Sequence, residues 1–339
     1  MIYVHVPFCR SFCTYCDFYS EIADRCSSER TIRTYTDAVA AEILDRREEI
    51  QATGAVNTVY IGGGTPSVLP LCSLEKIVDA VRKVQPGPWE EFTVEVNPED
   101  IVEKGPEYVR GLLSLGVNRI SMGVQSLDDS ILKWMNRRHD SQRAEQAFGI
   151  LRGARVQNIS VDVIFGLSQM KDNTLESTLD GILSWRPDHI SAYQLSIEEG
   201  SALAGMVEKG LYREADEEQC RKQYELLCRR LREAGFHHYE ISNWAVPGRE
   251  AVHNSAYWTR SPYTGVGPGA HSLSTGNPQK RCWNSQNPLK WEASCEFLSD
   301  EQIRLERLML GLRTDKGVDG KVIEEKDWFV SDSIIADCL

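Results

Sequence analysis

Six apolar-rich runs read as strands: 2–6 (IYVHV), 56–61 (VNTVYI), 91–96 (EFTVEV), 118–124 (NRISMGV), 159–165 (ISVDVIF) and 188–195. Between them, apolar positions fall at helical spacing near 30–52, 73–84, 105–115, 128–153 and 172–185, and helical spacing returns at 215–235. The early strands recur every roughly 30–40 residues, the scale of a βαβ unit. This alternation predicts a mainly parallel sheet, either an open doubly wound sheet or a full or partial barrel.

The phase within the strands chooses between these. Phe92, Val94 and Val96 share one face, with Thr93 and Glu95 on the other. Ile120, Met122 and Val124 oppose Ser121, Gly123 and Gln125, and Ile159, Val161, Val163 and Phe165 oppose Ser160 and Asp162. A doubly wound sheet buries both faces under helices and reads as continuous apolar runs. One apolar and one polar-bearing face is what a barrel with a polar ligand in its lumen would show. An antiparallel strand with one wet face gives the same alternation, but the intervening helices argue against it.

Residues 242–298 are dense in turn formers and aromatics and read as a long irregular segment packed on the barrel of residues 1–241. Residues 299–313 return to helical spacing, with Ser299 as candidate N-cap, and open a small C-terminal helical domain over 299–339 that is short or incomplete.

Lys and Arg number 38 against 50 Asp and Glu, a net charge of −12 that argues against broad binding to nucleic acid or an anionic membrane. No apolar run has the length of a membrane-spanning helix. MIYVHVPFC passes from a strand-like run straight into cysteine, unlike a signal peptide. A cytoplasmic protein is expected, and its cysteines are then expected to be reduced. Seven of the ten cysteines (Cys26, Cys72, Cys220, Cys228, Cys282, Cys295 and Cys338) are scattered and read as buried or incidental thiols.

The other three are clustered. Cys9, Cys13 and Cys16 lie at C-x3-C-x2-C spacing in HVPFCRSFCTYCDFYS. Structural zinc needs four ligands, usually two close pairs, and no second C-x2-C pair exists. A four-iron cluster fits better, because three cysteines hold three irons and leave the fourth open to another ligand.

With an aromatic residue, Tyr15, before the last cysteine, this spacing resembles the signature of radical S-adenosylmethionine (SAM) proteins. The resemblance implies a partial (β/α)6-type barrel carrying a 4Fe-4S cluster. The open iron would chelate the amino and carboxylate groups of SAM, whose reductive cleavage gives a 5′-deoxyadenosyl radical. Cys9, Cys13 and Cys16 are then the metal ligands. Tyr3, Tyr15, Gly63, Gly64, Thr65, Glu95, Gln125, Arg137 and Asp162 match family positions around SAM. Arg137 would pair with its carboxylate, and Glu95 and Asp162 would accept from its amine or ribose hydroxyls. Taken singly, GGGTPS at 62–67 is a strand-to-helix turn and each polar residue a solvated one.

The order of these pieces from Tyr3 to about Arg313 resembles one branch, the oxygen-independent coproporphyrinogen III dehydrogenases and the heme chaperones called HemW. Three features favour the chaperones. Phe18 stands where the dehydrogenase pattern has a further cysteine, Cys9 comes almost at the start, and HNSAYW at 253–258 matches an H-N-x-x-Y-W pattern of HemW proteins. The resemblance makes His253 a candidate axial ligand to heme iron, with His271 a second candidate. A histidine beside aromatics is more often a hydrogen-bonded structural residue. The expected function is heme binding and transfer to an acceptor protein. The alternative is an enzyme that oxidatively decarboxylates coproporphyrinogen III to protoporphyrinogen IX.

Overall fold

A computed structural model describes residues 1–23, 28–54 and 56–338; Cys26 lies outside them, and the side chain of Cys338 is not described. Six parallel strands form its centre: β1 (Ile2–Val6), β2 (Thr58–Gly63), β3 (Glu91–Val96), β4 (Arg119–Gln125), β5 (Ile159–Phe165) and β6 (His189–Gln194). They stand side by side in chain order, each parallel to the next. Right-handed crossovers between successive neighbours place every connecting helix on the same face of the sheet. The other face is left as a lumen, as the strand phase predicts.

Register lines up the lumen face. Tyr3 pairs with Tyr60, Tyr60 with Thr93, Glu95 with Ser121, Gly123 with Asp162, and Asp162 with Ser191. The opposite residues, among them Val59, Ile61, Phe92, Val94, Ile120, Met122, Val161 and Val163, are buried in the core under the helices.

The expected helix over 128–153 is two helices, Asp129–Trp134 and Ser141–Gly153. Asp128 and Asp140 each cap one, and Asn136 adopts a left-handed φ of 57° between them. Capping aspartates satisfy N–H groups that a continuous helix would pair internally, so the chain restarts rather than continues.

The stretch read as irregular is woven into the sheet. Residues Thr264–Val266 pair parallel to β1 at one edge, and Asn243–Ala245 pair antiparallel to β6 at the other. A three-stranded antiparallel sheet of His271–Leu273, Lys280–Asn284 and Ala293–Phe297 follows. Strands of three to five residues are too short to show a period.

This sheet corrects one expectation about the scattered cysteines. Cys282 and Cys295 are not free thiols but a disulfide, set directly opposite each other in the ladder with Cα atoms 4.1 Å apart. Cys72, Cys220 and Cys228 are free. Among the described residues, no helix is long and apolar enough to cross a membrane.

Candidate cofactor site

The cysteine loop leaves the C-terminal end of β1 and is held from three sides. Thr65 N–H donates to Phe8 O at 2.8 Å and Gly64 N–H to Val6 O at 2.8 Å, tying the loop to the chain leaving β2. Thr14 N–H donates to Met135 O at 3.1 Å, and Thr14 Oγ1 to Trp134 O at 2.8 Å. Asn136 Nδ2 donates to Phe12 O at 2.7 Å, and Leu203 N–H to Thr14 O at 2.8 Å.

Glycines make the approach possible. A Cβ on Gly64 would lie 2.9 Å from Phe8 O and 3.1 Å from Cys9 Sγ. Gly63 has φ +111°, and a Cβ there would sit 2.6 Å from the His5 ring. Both positions admit only glycine without backbone movement.

The three thiols lie on one partly buried loop. Cys9 Sγ lies 3.4 Å from Thr65 Oγ1, and Arg137 Nη1 donates to Cys13 Sγ at 3.2 Å. Burial pushes the Cys16 thiol up to about 11, and Cys13 and Cys9 add to the effect. A thiol raised in this way stays protonated until a metal replaces the proton.

Arg137 reaches the site from the break between the two helices. Its Nη2 donates to Gly123 O at 2.7 Å. Its Nε is buried without a partner among the described residues, as is Gln125 Oε1. Gln125 itself has φ +71° at a bulge in the β4–β5 pairing. A non-glycine residue in that conformation carries strain of about 1–3 kcal/mol, which clusters at ligand sites.

Farther into the lumen, Glu95 accepts from Tyr60 Oη at 2.7 Å and from Gly63 N–H at 3.0 Å. Burial raises its carboxyl to about 7. Asp162 accepts from Ser121 Oγ at 3.2 Å, and burial raises it to about 6. Tyr193 projects from β6 with 43% of its surface exposed. Tyr3 donates to or accepts from His5 Nδ1 at 2.9 Å, and Tyr15 is half-buried beside the thiols.

The donor set fits a 4Fe-4S cluster with SAM. Three thiols share one loop, and a buried guanidinium with an unpaired Nε calls for an anion. Two carboxyls held near neutrality gain most from a cationic ligand. The bound cluster and SAM would supply an electron and an adenosyl radical; the chain holds, orients and screens them.

His253 lies at the other end of the lumen. It sits on the helix Val252–Trp258, 0% exposed. Its Nδ1 bonds Thr58 Oγ1 at 2.8 Å, and its Nε2 bonds Tyr257 Oη at 3.0 Å. Glu91 accepts from Val252 N–H at 2.8 Å and His253 N–H at 3.2 Å, and Tyr239 Oη accepts from Ala251 N–H at 3.3 Å. Thr58 and Glu91 begin their strands, so this helix plugs the floor of the barrel. The placement runs against the expectation that His253 ligates heme iron, because both ring nitrogens are engaged and the ring is sealed from solvent.

Residues that the sequence reading missed include Tyr60, Ser191 and Tyr193. Thr58 and Tyr60 alternate with Val59 and Ile61, and that phase was the available signal for Tyr60.

Residues 3–182 match the model of the radical SAM superfamily. The chain belongs to the radical SAM superfamily. Within it, the chain groups with the HemW family. It is 33% identical over 96% of its length to "Heme chaperone HemW" of Bacillus subtilis (strain 168), 86% of which is covered. It is 34% identical over 93% of its length to the protein of that name from Synechocystis sp., covering 78% of it. A mitochondrial relative from Bos taurus, "Radical S-adenosyl methionine domain-containing protein 1", is 32% identical over 94% of the chain and 74% of that protein. Among solved structures, the coproporphyrinogen III oxidase HemN of Escherichia coli superposes with a TM-score of 0.77 over 92% of this chain and 75% of its own. At 19% identity this likeness shows a shared radical SAM fold alone. Membership of the superfamily implies a 4Fe-4S cluster and SAM.

Proposed function

We propose that the protein is a heme chaperone of the cytoplasm, which binds heme and passes it to an acceptor protein on a scaffold holding a 4Fe-4S cluster and SAM. One observation carries the reading: its similarity over 96% of its length to a protein named a heme chaperone. Phe18, 67% exposed beside the cluster loop, supports it, because the coproporphyrinogen III dehydrogenase pattern has a cysteine there. Cys9, Cys13 and Cys16 would hold the cluster, Arg137 the SAM carboxylate, and Glu95 and Asp162 its amine and ribose.

The test is an anaerobic titration of cluster-loaded protein with heme, followed by its Soret band, beside an assay for decarboxylation. Saturable one-to-one binding with no porphyrinogen turnover is the expected result. Protoporphyrinogen IX formed from coproporphyrinogen III, in dependence on SAM and reductant, would overturn the reading in favour of an enzyme.

A further inference from the structure

Seven histidines could supply a heme-iron ligand. Six make at least one side-chain hydrogen bond or ion-pair contact within the fold, although Nδ1 of the buried His139 has no partner among the described residues. His5 bonds Tyr3 Oη and Tyr19 O, each at 2.9 Å. His189 bonds Ser160 Oγ and Tyr239 Oη, each at 2.8 Å. His237 faces Glu250 and Asp315, at 3.1 and 3.0 Å. His238 bonds Glu325 at 2.9 Å and stacks on Trp244 with ring centroids 4.0 Å apart. His139 is buried and bonds Val124 O at 3.1 Å. His253 is sealed in the floor as described.

His271 differs from all of these. It is exposed, and among the described residues its imidazole has no hydrogen-bond partner. It begins the strand His271–Leu273 directly opposite Trp283, itself 36% exposed. The two rings lie 6.5 Å apart and within 29° of parallel. Leu273 of the same strand face pairs with Tyr263, and Gly265, on the same face as Tyr263, pairs with Tyr3. The strand His271–Leu273 thus adjoins the β1 edge of the central sheet through Tyr263 and Thr264–Val266.

The turn before His271 runs close to the cluster loop. A Cβ on Gly267 would lie 2.7 Å from His5 O, and one on Gly269 would lie 3.3 Å from Tyr19, three residues beyond Cys16. Partial burial, with Arg281 nearby, lowers the imidazole below its usual range. A neutral imidazole is a good iron ligand.

We infer that His271 is the axial ligand of bound heme iron, with Trp283 standing beside the imidazole at the porphyrin edge. The assignment rests on the heme-binding reading above and deepens it. His253 is then a positioning residue of the barrel floor.

The experiment compares hemin titrations of anaerobic, cluster-loaded wild type with His271→Ala, His271→Cys and His253→Ala, read by Soret absorption and low-temperature EPR. Urea midpoints of the free proteins are measured in parallel. Wild type is expected to bind one hemin with nitrogen ligation. His271→Ala should bind at least about tenfold more weakly, with exogenous imidazole restoring the spectrum. His271→Cys should turn the spectrum to a thiolate type, an outcome that a folding defect cannot produce. His253→Ala should lower the urea midpoint and keep the wild-type heme spectrum. Unchanged affinity and spectrum in both His271 variants would overturn the assignment while leaving heme carriage intact. A wild type that binds no heme would overturn heme carriage itself, and this assignment with it.

Discussion

Arg137 Nη1 donates to Cys13 Sγ at 3.2 Å, joining residues 124 positions apart in the chain. The contact couples the metal loop to the residue proposed to pair with the SAM carboxylate. A buried hydrogen bond to a charged group contributes about 1.5–3 kcal/mol. Arg137→Ala should therefore weaken SAM binding to the cluster-loaded protein by roughly 10- to 100-fold. Equilibrium dialysis with labelled SAM measures this, and unchanged affinity would dismiss the role.

Each of Cys9→Ala, Cys13→Ala and Cys16→Ala removes one of only three thiols on the loop. Iron and acid-labile sulfide after anaerobic reconstitution should fall to near background in each variant. Far-UV circular dichroism should stay at the wild-type level, since the loop carries little of the buried core. Full iron content in any one variant would show that the thiol is not a ligand.

Gly63 and Gly149 make a matched pair. At Gly63, φ is +111° and a Cβ would strike the His5 ring, so Gly63→Ala should destabilise the fold by about 1–3 kcal/mol. Gly149 lies inside a helix, and a methyl group there would meet nothing within 4 Å, so Gly149→Ala should stabilise by about 0.5–1 kcal/mol. Urea unfolding at fixed pH compares them, and shifts of the same sign would contradict the argument.

Glu95 gives a pH dependence of definite sign. Its folded carboxyl is raised by burial from 4.5 to about 7. The folded state therefore holds a proton that the unfolded state has lost, and this contribution is full below about 4.5 and disappears as pH rises through 7. Glu95→Gln should remove it. In the protein without SAM, the stability of wild type relative to Glu95→Gln should fall by about 2 kcal/mol between pH 4.5 and 8, after allowance for solvent in the lumen. Guanidinium unfolding at the two pH values tests this; an unchanged difference would mean that Glu95 is ionised throughout. SAM, bringing a positive charge, should release protons on binding near pH 7, which calorimetry in two buffers would detect.

The strands were legible because their apolar phase reports burial directly. β1, β3 and β5 occupy the residues that alternation marks, and the others begin or end within two residues of it. The cysteine spacing named the cluster loop, whose chemistry depends on local order alone. Other features depended on distant partners. Nothing local to His253 shows that Thr58, 195 residues away, will occupy its Nδ1. Nothing local to Cys282 shows that ladder register will set it against Cys295. The left-handed Gln125 follows from a bulge against β5, which a single strand does not reveal. The sequence offered His271 only as a second candidate after His253, and the partners of the other histidines reverse that order.

The cluster loop is fastened by backbone bonds from Thr14 to Met135 and from Leu203 to Thr14, and by Asn136 to Phe12, none of which involves a metal. These bonds hold the loop backbone to its neighbours without using the thiols. Cluster insertion is then expected to require little further ordering of the chain. Amide exchange at Thr14 and Leu203 should be slow in the metal-free protein and change little on loading, a kinetic signature that separates this scaffold from small metal-folded domains.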